Sequence, residues 1–97
     1  MKQYTTPTIQ WLFKYINPSL MEEVRVIIKD EQEHMVEISD PEIDGNMVQV
    51  KLTQAQTASL AKGKIRMQVH WKLYDGTVDA SDVEIIDHED LLKGETL

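Results

Sequence analysis

Lys64 to Tyr74 most constrains what this chain can become. Ile65, Met67, Val69, Trp71 and Leu73 alternate there with Lys64, Arg66, Gln68, His70 and Lys72. A period of two over so many residues fits a strand with one face buried and one face wet, and it does not fit a helix. Leu52 to Gly76 gives this strand its setting. A capping box at Thr53 and Gln56 opens a short helix in which Ala55, Ala58, Leu60 and Ala61 favour the helical state, and Gly63 is its expected stop. Asp75-Gly76 beyond the strand is expected to form a two-residue hairpin turn.

The remaining patterns supply strands to cover this one. Thr8 to Ile16 places Ile9, Trp11, Phe13 and Tyr15 on one parity, with Leu12 and Ile16 on the other. After a loop at Asn17-Pro18-Ser19, Val24, Val26 and Ile28 alternate with Arg25 and Lys29. Asp30 to Glu33 is a polar turn. His34 to Ser39 follows as a strand with Val36 and Ile38 inward and His34 on the same parity. Asp40-Pro41 ends it, and Asp44-Gly45-Asn46 is the next turn. Met47 to Leu52 turns Val48, Val50 and Leu52 inward. Thr77 to Asp87 is the last strand region, with Val78, Ala80, Val83 and Ile85 inward and a parity slip near Ser81-Asp82 that suggests a bulge.

Six or seven short strands with turns about 8–12 residues apart give an all-β fold. The expected form is an immunoglobulin-like antiparallel β-sandwich with one short crossover helix, and the alternative is a small β-barrel. The 97 residues make one domain, with 1–6 and 88–97 expected as flexible tails. Trp11 and Trp71 share inward parity and are expected in one core.

A net charge of −7 repels phosphate backbones and anionic lipid, so neither nucleic acid nor membrane is an expected partner. The lack of cysteine removes disulfides, thiolate catalysis and Cys-based zinc sites. Met1 to Ile16 has no apolar run of the kind that opens a secretory signal peptide. His34, His70 and His88 are too scattered for a ligand pair. The acidic set Asp75, Asp79, Asp82, Asp87, Glu89 and Asp90 could hold calcium loosely, but its spacing matches no calcium loop and a solvated face is favoured. No nucleophile elbow, phosphate loop or carboxylate pair stands out. The expectation is a non-enzyme without cofactor or metal.

Leu52-Thr53-Gln54, Thr57, Gly63, Gln68-Val69, Asp75-Gly76 and Ala80-Ser81-Asp82, with the opening Tyr4-Thr5-Thr6-Pro7-Thr8, together resemble a family. It comprises small immunoglobulin-like structural proteins of phage and prophage tails and baseplates in Gram-positive bacteria. The resemblance spans Tyr4 to Asp87, and Lys29 to Asn46 departs from it in being more acidic. It implies a virion structural or assembly protein whose partners are other phage structural proteins or a second copy of itself. Its place would be the virion, or the host cytoplasm during assembly. The rival expectation is a stand-alone ligand- or carbohydrate-binding sandwich, which needs exposed aromatic rings. Leu12, Ile16, Tyr4 and Tyr74 are the interaction candidates. Leu12 and Ile16 are apolar on a parity that should be wet, and the two tyrosines lie off the core stripes. A fold-back of Leu91 and Leu92 over Leu12 would instead cover that patch from within.

Overall fold

A computed structural model describes residues 1–97. Eight strands form two antiparallel sheets. They are β1 (Thr8–Leu12), β2 (Met21–Lys29), β3 (Met35–Ile38), β4 (Glu42–Asp44), β5 (Met47–Lys51), β6 (Gly63–Leu73), β7 (Val78–Ala80) and β8 (Glu84–His88). A single short helix, α1 (Gln54–Ser59), crosses from β5 to β6. The smaller sheet has the order β1-β5-β4. The larger runs β3-β2-β6, and both β7 and β8 pair with the far side of β6. The sheets face each other as a sandwich and do not close into a barrel. No helix is long and apolar enough to cross a membrane.

The alternation of β6 is realised in full. Ile65, Met67, Val69 and Trp71 are buried, and Val24, Val26 and Ile28 of β2 stand opposite Trp71, Val69 and Met67. From the other sheet come Trp11, Val48 and Val50, and Leu52 and Leu60 close the end beside α1. Both tryptophans belong to this one core, as their parity predicts. The capping box forms as expected: Thr53 Oγ1 accepts from Gln56 N–H at 3.1 Å and Gln56 Oε1 accepts from Thr53 N–H at 2.9 Å.

The departures have local causes. The strand expected over Thr8–Ile16 ends at Leu12, because residues 14–16 bend toward the short 3-10 turn at Pro18–Leu20. Parity fails beyond Phe13, and Tyr15 is 98% exposed instead of buried. Glu42–Asp44 is a strand that the turn signals on either side concealed, which brings the count to eight. The Asp75-Gly76 turn is one residue longer than expected, since Leu73 N–H donates to Thr77 C=O across Tyr74–Gly76. Gly63 does not stop the helix. It opens β6 with φ +123°, where a side chain would press on Glu31. His34 precedes β3 and its side chain is 56% exposed.

The last strand is inverted relative to expectation. Trp71 stands opposite Asp79, and Ile65 opposite Ile86. Cross-strand partners share a face, so Val78, Ala80 and Ile85 face outward, while Ile86 and His88 face in. The parity slip is real but larger than a bulge: residues 81–83 leave the ladder. Ser81 bridges the gap, donating its N–H to Val69 C=O at 2.8 Å and accepting from Val69 N–H through Oγ at 3.0 Å.

Residues 1–5 and 88–89 are tied down where loose tails were expected, whereas 92–97 are exposed. Lys2 bridges Glu89 in parallel, Gln3 Nε2 donates to Leu60 C=O at 2.9 Å, and Thr57 Oγ1 both accepts from Thr5 N–H and donates to Thr5 C=O. His88 is buried, its Nε2 donating to Thr57 C=O at 2.8 Å. The carboxylate of Asp30, read as one residue of a polar turn, is fully buried. It accepts N–H bonds from Gln32, His34 and Ala61 and a ring N–H bond from His34, all between 2.7 and 2.9 Å. Burial alone would raise its pKa, but those four bonds outweigh burial and hold it at about 2.

Candidate functional site: the open edge of the sandwich

On one side of the molecule each sheet ends in a strand whose outer edge is unpaired, β1 in the smaller and β7–β8 in the larger. The geometry of β1 follows from its ladder. Leu52 N–H donates to Pro7 C=O, and Phe13 N–H donates to Asn46 C=O. Hydrogen-bonded pairs alternate in an antiparallel ladder, so Ile9 and Trp11 spend their backbone groups on β5. Thr8, Gln10 and Leu12 turn theirs to the open edge. Natural sandwiches usually blunt such an edge with Pro, charge or a bulge, and β1 carries none of these.

Between the two edges lies a cleft of about 410 Å³. Its inner wall is aromatic: Trp11 from β1, Phe13 just beyond it and Trp71 from β6, with Phe13 and Trp71 edge to face at 5.2 Å and 88°. Such a pair contributes about 0.5–1.5 kcal/mol beyond the area it buries. Its mouth is formed by the bend at residues 14–16 and by Ser81, Asp82 and Glu84 across from it. The Val69–Ser81 bonds hold the gap between β7 and β8 open and so place both carboxylates at the rim.

Two features of the cleft are chemically unfinished. Trp11 and Trp71 are 7% and 6% exposed, and neither indole Nε1–H has an acceptor. A buried donor left without a partner costs about 1–3 kcal/mol, and both such indoles lie in this one place. Asp82 and Glu84 take part in no ion pair, whereas each Lys and Arg on the outer face of β2 and β6 has a carboxylate partner. The cleft is therefore apolar inside and anionic at one lip, with Lys14 the one cation lining it and two unbonded indole N–H groups buried in the tryptophans of its wall.

The interaction candidates separate in space. Leu12, 70% exposed, and Ile16, half-buried against the core, both line the cleft. Tyr4 does not line the cleft; it has φ +59° and its ring lies beside Gly94. Tyr74 projects from the turn after β6. Leu92 is fully exposed and neither it nor Leu91 lines the cleft with Leu12, so the fold-back is not formed. Sequence reading missed Gln10, Ser81, Asp82, Glu84 and the indole N–H groups. The break in parity at Ser81–Asp82 was the one signal pointing there. No group of three or more His, Asp or Glu side chains is placed to hold a metal ion, and the acidic run Asp75–Asp90 is spread along the turn, both final strands and the residues after them.

Comparison of the chain with protein-family models, with curated proteins and with solved structures gives no match.

Proposed function

We propose that this protein is a non-enzymatic structural component of a phage or prophage tail assembly, working by protein–protein contact through the open side of its sandwich. The observation that carries the contact is the bare edge of β1, with three residues' backbone groups unpaired and Leu12 exposed beside an apolar cleft. An edge of this kind is a template for another strand, and a fold that keeps one unprotected has a use for it. The tail assignment draws its support from the resemblance carried by Leu52-Thr53-Gln54, Gly63, Gln68-Val69, Asp75-Gly76 and Ala80-Ser81-Asp82.

The test is incorporation. Particles purified from a host expressing the tail gene cluster should contain this protein in a fixed ratio to the other tail proteins, and Leu12→Asp should remove it while leaving the isolated domain folded. Its absence from purified particles overturns the structural reading. A second reading, a carbohydrate-binding sandwich, draws on one observation: four of the chain's six aromatic residues line the cleft, and Tyr15 among them is nearly fully exposed. Trp11 and Trp71 offer no free ring face to stack on a sugar, which is why this reading ranks second. Saccharide binding that is lost on Tyr15→Ala would reverse that order.

A further inference from the structure

We infer that the cleft receives an extended, cationic segment of a different protein, which adds as a strand to the free edge of β1 and seats an apolar side chain between the two sheets. The inference rests on the protein–protein reading above and names the chemistry of the partner.

Four observations converge on it. The open edge of β1 presents N–H and C=O groups of Thr8, Gln10 and Leu12 at the repeat a fourth strand needs. Strand addition would extend the order β1-β5-β4 by one. Every second side chain of such a segment points into the gap between the sheets, where the aromatic wall and about 410 Å³ of space meet it. Two indole donors in that wall lack acceptors, and an incoming backbone carbonyl or side-chain oxygen supplies them. Asp82 and Glu84 at the mouth form no ion pair, with Lys14 or any other cation, and a flanking Lys or Arg supplies one.

Charge decides between a second copy and another protein. Two copies of a chain at −7 repel, and copies paired edge to edge would bring two anionic lips to one interface. A basic segment meets the opposite: attraction to the whole molecule and specific partners at the rim. The Nε1 atoms are out of reach of solvent in the free protein, so binding must shift part of the cleft wall. The bend at residues 14–16 is the part able to move, since no backbone hydrogen bond holds it.

The probe is a blocked heptapeptide, Thr-Lys-Val-Phe-Val-Lys-Thr, titrated into the full chain labelled with nitrogen-15. The protein has two tryptophans and hence two indole N–H signals, both of which should move on binding. A counterpart with Glu in place of both Lys should bind at least about tenfold more weakly. Gln10→Pro removes an N–H that makes no ladder bond, a substitution edge strands tolerate. That variant should keep its melting temperature and lose the peptide. Asp82→Lys combined with Glu84→Lys should invert the preference between the two peptides. Failure of the Lys peptide to bind at about millimolar concentration, equal binding of both peptides, or unmoved indole signals each overturn the proposal. So does movement of those signals when the protein alone is concentrated, which would make the occupant a second copy. Incorporation into particles without peptide binding removes the cleft assignment only. Peptide binding by a protein absent from particles removes the tail reading only.

Discussion

At the scale of single residues, Asp30 shows how one carboxylate can tie three segments together. It joins the end of β2, the turn before β3 and Ala61, two residues past α1. Its folded pKa of about 2 lies below the ordinary 3.8, so its contribution is complete above about pH 4 and is lost as pH falls toward 2. A depression of that size corresponds to on the order of 2 kcal/mol. Asp30→Asn cannot accept all four bonds and should lower the urea midpoint clearly at about pH 6. The gap between variant and parent should narrow steadily on acidification. A gap that is the same at about pH 2.5 as at pH 6 would show that the carboxylate charge does not matter. His88 is the converse case, a buried ring whose Nε2–H is bonded and whose Nδ1 has no donor.

Among the elements, α1 is the one most dependent on a single side chain. Six residues are too few to be helical alone, so its cap and its packing sustain it. Thr53→Ala should cost about 1 kcal/mol. Because Thr57 of the same helix bonds Thr5, the loss should also speed amide exchange at Thr5. Unchanged exchange there would separate the helix from the amino-terminal segment. The helix and β6 were legible in the sequence because their signals are local: a Thr and a Gln three residues apart, and a two-residue period. The inward set of the last strand was not legible. Alternation gives parity but does not say which face is buried: on either side of the break at 81–83, Val78 and Ile85 are apolar yet face outward. Tyr15 misleads because it lies past the end of β1. The candidate site was half visible. Leu12 and Ile16 stood out as apolar on the wrong parity, and both line the cleft. Asp82 and Glu84 did not stand out, because an unpaired carboxylate is recognised only once its neighbours in space are known. The same holds for Asp30, whose partner Ala61 is thirty-one residues away.

For the whole molecule, the amino-terminal segment is part of the fold. Removing residues 1–6 deletes the bonds to Leu60, Thr57, Asp87 and Glu89 and leaves the buried hydroxyl of Thr57 with only its bond to Gln54 C=O. With each bond contributing about 0.5–1.5 kcal/mol, the melting temperature should fall by at least about 10 °C. Removing residues 90–97 should change it far less, since most of those residues are exposed. Equal effects of the two truncations would contradict this. The parallel bridge between Lys2 and Glu89 also has a mechanical consequence. A pull on Met1 and Leu97 draws those two parallel segments in opposite directions along their length, so their bonds share the load instead of opening one by one like a zip. Under tension applied at its ends the domain should therefore yield late and abruptly. In single-molecule pulling, trimming residues 1–3 and attaching the handle at Tyr4 should lower the force of the first rupture, because the clasp that bore the load would be gone.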